Sequence, residues 1–514
     1  MLFNSYEFIF AFLPITFFVY NIFLKKWGNN AAFTALLVCS IVFYCNWKVD
    51  YIVLILGSCL GNYALGVGIN RASDRWRNSV LFFGVSANLV LLGYFKYAAF
   101  LVENAALLAG QSWPIDHIEL PLGISFFTFT QIAYLVDVRS GRAYAKTLLK
   151  YVLFVVFFPH LIAGPIIHCK ELLPQFDKPI RERWQFISIG VLIFALGLFK
   201  KTIIADSLAL YASPVFDTAA QGRVPAFFEA WIGALAYTFQ LYFDFSAYSD
   251  MAIGIAALFG IRFPINFNSP YRARNIIEFW RHWHMTLSRF LRDYLYFPLG
   301  GNRLGPVRRH ANLMATMLLG GLWHGADWKF LLWGGLHGGF LVVNHGWRYL
   351  RPKLSMRPVG RVEGLGGWAV TFLAVVIAWV PFRAADLSTA MSVMASMAGL
   401  HGVVLPNALA TISNAFPMIF TKGQALDPAL ANWPKGVVVL ALAGMVALTF
   451  PNIYQVLGTA APVLDDEGRR MVRPLRRPWL SWSPSRSWGA VAAFFLVLGI
   501  LGMSHVSEFL YFQF

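Results

Sequence analysis

Apolar runs, each close to a bilayer in length, alternate with short polar loops from the start of the chain. A membrane-spanning helix needs about 20 mostly apolar residues, and residues 8–24, 31–47, 51–69 and 79–95 follow that pattern. The loops between them carry Lys25 and Lys26, then Lys48 with Asp50, then Arg71, Arg75 and Arg77, so basic loops alternate with a nearly neutral one. Lysine- and arginine-rich loops stay in the cytoplasm. This places the N-terminus outside and the first basic loop inside. The opening MLFNSYEFIFAFLP lacks a positive start and a small-residue cleavage site, so it reads as a first transmembrane helix rather than a signal peptide.

Further along, the apolar pattern is interrupted. Residues 120–138 are dotted with Thr128, Thr130, Gln131 and Asp137, and residues 150–167 contain Pro159, His160, Gly164 and Pro165. Breaks at membrane depth survive only where protein or a water-filled cavity satisfies the backbone; the second stretch predicts a broken helix lining a cavity. Further spans are predicted at 186–198, 226–245, 313–323, 330–347, 368–380, 436–450 and 488–503. Several fall short of about 20 residues, which predicts local bilayer thinning or re-entrant segments.

Composition narrows the class. Of the 514 residues, 58% are hydrophobic and only 13% charged, against roughly 25% charged in soluble domains. An ordinary soluble enzyme, a disordered chain and a disulfide scaffold are excluded, leaving an all-α polytopic membrane protein. The net charge of +17 is high beside so apolar a chain. Nucleic acid is not the implied partner, because the basic residues sit in short loops between apolar runs. Two stretches, 271–312 and 464–488, are strongly basic and read as cytoplasmic; the second carries Arg469, Arg470, Arg473, Arg476, Arg477 and Arg486. Cys39, Cys45, Cys59 and Cys169 form no CxxC pair and read as buried thiols, not a metal site. No repeat and no low-complexity linker divides the chain, so residues 1–514 read as one membrane domain.

An ionisable side chain at membrane depth costs roughly 2.5–3.5 kcal/mol on insertion scales and is a functional candidate by default. In residues 317–338, His324 stands in a glycine-rich apolar run, where a neutral imidazole is suited to general-base work. Gly320, Gly321 and Gly325 permit close approach of a backbone or a substrate. On a continued helix Asp327 would lie at i+3 on the same face and orient the ring. His337 reads as a core histidine. In residues 275–303, His282 and His284 would lie about 200° apart on a helix and cannot clamp one metal; Trp280 and Trp283 read equally well as an interfacial aromatic belt, with Arg281 and Arg289 beside them. In residues 238–260, Asp244 and Asp250 stand among aromatics near Gln240, Ser246 and Ser249, and read first as structural partners of the arginines in 271–312. His160 is a weaker candidate. The sequence contains no P-loop, GxSxG, HExxH or helix-opening GxGxxG motif.

Seven segments in order carry a resemblance: YCNWKVDY, LGYFKYAAF, LPLGISFFTFTQIAYLVDV, FFPHLIAGPI, QLYFDFSAYSDMAIG, FWRHWHMTLSRFLRDYLYFPLGGNR and MLLGGLWHGADWKFLLWGGLHG. Together they resemble the membrane-bound O-acyltransferase superfamily, over most of residues 1–347, while 348–514 matches only in hydropathy. The resemblance implies a ring of roughly eleven transmembrane helices plus re-entrant segments around a funnel. It also implies a catalytic histidine, matched by His324 in GLWHGA, and a second polar position, matched by His284 in WHMTLS. His282 stands where relatives commonly have Arg, and Ala247 where they commonly have Gly.

The activity implied is O-acyl transfer, with acetyl-CoA or an acyl-carrier thioester as donor substrate and no bound cofactor or metal. His324 would be the base, with Trp323, Trp283, Asp327, Asp244, Asp250, Gln240, Arg281 and Arg289 binding or supporting. The setting implied is the bacterial inner membrane, with an exopolysaccharide such as alginate or a periplasmic SGNH-type acetyltransferase receiving the acyl group. A conduit for acylated metabolites and a non-catalytic assembly scaffold are the competing classes.

Overall fold

A computed structural model describes residues 1–114, 118–177, 183–354, 360–403, 433–464, 467–475, 480–503 and 509–510. Arg476 and Arg477 of the basic loop lie outside them. The described residues are helical apart from loops and one isolated bridge between Phe263 and Val463. The chain divides into two compact units. One comprises Met1–Phe199, Ala247–Asn266 and Ile453–Gln513, the other Lys200–Ser246 and Phe267–Asn452.

The first unit begins with α1 (Leu13–Cys45), α2 (Tyr51–Arg71), α3 (Asp74–Leu92), α4 (Ala98–Leu108) and α5 (Ile124–Arg139). It continues with α6 (Leu148–Val156), the single-turn α7 (Phe158–Leu161) and α8 (Cys169–Leu172), and α9 (Arg183–Phe199). The two spans expected at 8–24 and 31–47 join in one helical run, broken inside α1 by Gly28 at φ 81° and ψ −173°. Only glycine adopts that conformation readily, and the break falls beside the predicted basic loop at Lys25 and Lys26.

The polar residues of 120–138 hold helices together. Thr128, Gln131 and Asp137 of α5 are fully buried. Gln131 Oε1 accepts from Ser58 Oγ at 3.0 Å and from Asn62, while Asn62 pairs with Asn88. Such a network ties α2, α3 and α5 together where apolar packing alone supplies little drive between helices in lipid.

The helix break expected in 150–167 is present between α6 and α7, next to Pro159. Its environment differs from the expectation. Residues 151–169 are buried without interruption, so this segment packs within protein instead of lining an open cavity. His160 Nε2 meets the Phe154 carbonyl at 2.9 Å, a core role. Of the cysteines, Cys59 and Cys169 are buried, whereas Cys39 and Cys45 are only partly so.

The second unit contains α10 (Asp206–Ala220) and the first part of α11 (Phe227–Leu258), then α12 (Ile276–His282), α13 (Met285–Leu291), α14 (Gly305–His324), α15 (Trp328–Lys353), α16 (Arg361–Arg383) and α17 (Leu387–Met397), with a later helix at Trp433–Thr449. α14 and α15 pack backbone to backbone. A Cβ at Gly321 would collide with the Phe330 carbonyl, and one at Gly334 with the Met317 carbonyl. The glycines that the sequence marked for close approach therefore serve helix packing at Gly321, while Gly325 lies against the Phe330 ring. α17 opens on Asp386, whose carboxylate accepts from the Thr389 N–H at 2.7 Å and the Ser388 hydroxyl at 2.8 Å. Those bonds hold its pKa below the ordinary carboxylate range.

Among the described residues, five helices are long and apolar enough to cross a membrane: Phe8–Cys45, Tyr51–Arg71, Asp74–Leu108, Arg183–Ala220 and Val362–Arg383, with a sixth if Lys435–Thr449 and Ile453–Ala460 count as one broken span. Phe8–Cys45 and Arg183–Ala220 have 38 residues each, far beyond the roughly 20 that one crossing needs. The chain is an all-α, multi-pass membrane protein.

Candidate active site

α14 stops at His324. Gly325 is extended at φ −168° and ψ 152°, so the helix does not continue to Asp327. The i+3 geometry that would orient the His324 ring is therefore not formed. Asp327 instead caps the next helix, its carboxylate accepting from the Lys329 N–H at 2.9 Å.

Three aromatic rings surround the His324 imidazole. Their centroids lie 4.8 Å away for Trp323, 5.1 Å for Trp333 and 4.9 Å for Phe382, at interplanar angles of 69°, 84° and 73°. Trp323 comes from the same helix, Trp333 from the second turn of α15, and Phe382 from the last turn of α16. The ends of α15 and α16 are tied together by Lys329, whose ammonium donates to the carbonyls of Ala384 at 2.6 Å and Ala385 at 3.0 Å. Those carbonyls sit just past the end of α16, where a cation also meets the negative end of the helix dipole. Phe330 adds a ring contact with Phe382 at 5.4 Å.

His284 is buried and occupies the left-handed region, φ 39° and ψ 55°, at the start of α13. For a residue with a Cβ this conformation is uncommon and marks a position set by its surroundings. The resulting sharp turn also corrects the helix geometry assumed for His282 and His284: α12 ends at His282 and α13 begins after His284. The His284 ring packs on Phe245 at 4.8 Å, Phe267 at 6.4 Å and Trp323 at 6.3 Å. Trp323 thus contacts both His324 and His284.

Trp283 is buried rather than part of an interfacial belt, stacking on Phe279 at 5.6 Å and meeting Trp379 at 4.9 Å. His337 is fully buried between Trp333 at 4.9 Å and Trp280 at 5.1 Å, in the core role expected. Asp244, on α11, forms a buried ion pair with Lys201 at 2.8 Å, and Lys201 also meets Asp206 at 3.0 Å. Gln240 lies one turn before Asp244 and is buried. Asp250 belongs to the first unit, where its carboxylate accepts from the Tyr454 hydroxyl at 2.6 Å. The sequence pointed to arginines as partners of these carboxylates and gave no sign of Lys201 or Tyr454.

Arg281 is exposed on α12 and Arg289 partly buried on α13. The guanidinium of Arg272 donates to the carbonyls of Ala447 and Phe450 at the end of helix Trp433–Thr449, so it has a structural role. Arg303 and Arg308 are exposed. Among the described residues no group of three or more His, Cys, Asp or Glu side chains stands close enough to hold a metal ion.

His324 is thus a buried histidine at a helix end, walled by aromatics, and an imidazole so placed is a group that can take up or give a proton. Residues 87–382 match the model of the membrane-bound O-acyltransferase family, and the chain belongs to that family. It is an O-acyltransferase. The match extends past residue 347, beyond which the sequence resembled the family only in hydropathy, and takes in α16 with Phe382.

The chain is 42% identical to the peptidoglycan O-acetyltransferase of Helicobacter pylori, over 79% of this chain and 81% of that protein. It is 43% identical to the probable alginate O-acetylase AlgI of Pseudomonas aeruginosa, over 77% and 75%. The teichoic acid D-alanyltransferase of Streptococcus thermophilus is 31% identical over 48% of this chain and 61% of that protein.

Proposed function

We propose that the chain transfers an acetyl group from a cytoplasmic thioester to hydroxyls of an envelope polysaccharide, alginate-like in class, with His324 as general base. The names of its relatives support acetyl transfer to a glycan polymer. The observation that carries the catalytic reading is the pairing of His324 and His284 around Trp323 in a buried site.

In this mechanism His324 takes the proton of the acceptor hydroxyl as its oxygen attacks the thioester carbonyl. The C–O bond forms, the tetrahedral intermediate collapses and the C–S bond breaks. The thiolate leaves as a thiol with the proton held by the imidazolium. His284, the Trp323 indole N–H or backbone N–H groups are the candidate donors to the oxyanion. The donor is acetyl-CoA or an acyl-carrier thioester, drawn by exposed basic residues such as Arg303 and Arg308. The protein lies in the bacterial inner membrane with its N-terminus on the periplasmic side. The acceptor is the polymer itself or a periplasmic SGNH-type partner that passes the group on.

The test is His324→Ala at normal protein abundance, with polymer O-acetyl content read by NMR. The mechanism predicts loss of the O-acetyl signal. Acetylation at wild-type level would overturn it and favour a scaffold.

A further inference from the structure

The rings around His324 carry a consequence for its chemistry that rests on the general-base reading. An imidazole has two faces. A neighbour perpendicular to it sets an edge on one of those faces, receives the imidazole edge on its own face, or meets it edge to edge. Trp323, Trp333 and Phe382 all lie near perpendicular to His324 with centroids 4.8–5.1 Å away. Three perpendicular rings at this separation are placed for a π face to meet the imidazole edge. That edge carries the N–H and C–H groups on which positive charge grows when the base takes a proton. The face of an aromatic ring carries negative quadrupole density and attracts a cation within about 6 Å of its centroid.

We propose that Trp323, Trp333 and Phe382 form a π box that favours the protonated form of His324, with Trp333 and Phe382 as positioning residues of the reaction. The box acts where charge develops in the transition state, in a site from which water is largely excluded. Its walls are assembled from three helices. The α14–α15 packing at Gly321 and Gly334 brings Trp333 to His324, and Lys329 fixes the end of α16 that carries Phe382. The same construction explains why Phe382, distant from every motif in the sequence, belongs to the site. His337 and Trp379 stand behind Trp333 at 4.9 Å and 5.8 Å and limit its movement.

The distinguishing property of a π box is its response to ring electrons at constant ring shape. Fluorination withdraws density from the ring face with little change in size, so packing alone would not register it. The experiment introduces mono-, di- and trifluorophenylalanine at Phe382 and the matching fluorotryptophans at Trp323 and Trp333, one site at a time, in the full-length purified protein. Turnover of acetyl-CoA is measured, with exposed Phe494 substituted likewise as the incorporation control.

The expected result is a stepwise fall in kcat at one or more of the three positions, about three- to tenfold for the most fluorinated ring, with KM for the thioester unchanged. A flat or rising series at all three positions overturns the proposal. His324→Ala in the same assay separates the two claims. If that variant is inactive while the fluorine series is flat, the base reading stands and the π box falls. If it turns over like wild type, the base reading itself fails.

Discussion

At the scale of single residues, His284 shows how much of this site is set by backbone. Its φ of 39° turns the chain sharply between α12 and α13 and delivers the ring to Phe245 and Trp323. Asparagine tolerates the left-handed region, whereas a β-branched residue is strained there. Both substitutions lose the packing of the ring, but His284→Val should lie roughly 1–3 kcal/mol below His284→Asn, read as a lower midpoint in a detergent thermal melt. Equal midpoints for the two variants would show that the turn is not held as described. The residue types were legible beforehand: His324, His284, Trp323 and Trp283 all stood out as polar or aromatic positions in apolar runs. The conformation of His284 was not, because nothing in WRHWHMTLS marks a left-handed residue at a position without glycine.

At the scale of elements, the site depends on where α14 ends and on which helices close over it. A sequence pattern read as continuous past His324 put Asp327 on the same face. In the fold, Gly325 stops the helix and Asp327 starts the next one. Glycine-rich runs were readable as close-approach signals, and at Gly321 the approaching group is the backbone of α15. Phe382 and Lys329 were not readable, since each acquires its role only through contacts between α15 and α16, about 55 residues apart for the Lys329 bonds. Removing that clamp is informative. Lys329→Met keeps the aliphatic stem but loses two charge-assisted hydrogen bonds. Turnover should fall about tenfold or more, as expected when a supporting group lets a catalytic geometry loosen, while Lys329→Arg should recover part of it. Full activity in Lys329→Met would mean that the end of α16 is held by other contacts.

At the scale of the whole molecule, the hydropathy pattern announced a polytopic helical protein, and the family match agrees. What the pattern overstated was regularity. The break at Gly28 falls within the first 38-residue helical run, and the interrupted segment 151–169 is buried, so that neighbouring protein surrounds its broken backbone. The net charge of +17 also divides by role. Arg272 fastens the end of another helix, whereas Arg303 and Arg308 remain exposed. Replacing Arg303 and Arg308 with Gln should raise KM for acetyl-CoA a few-fold at low ionic strength and much less near 1 M salt, where the screening length falls to about 3 Å. A shift independent of salt would remove these arginines from donor capture.

The central claim is that His324 performs the proton transfer of acyl transfer. The most direct measurement is single-turnover consumption of acetyl-CoA by the purified full-length protein with its acceptor, comparing wild type with His324→Gln at matched folding. Positioned general-base catalysis contributes about 10²- to 10⁴-fold, so the account predicts a loss of that size in the variant with donor binding retained. A single-turnover rate equal to wild type would contradict it.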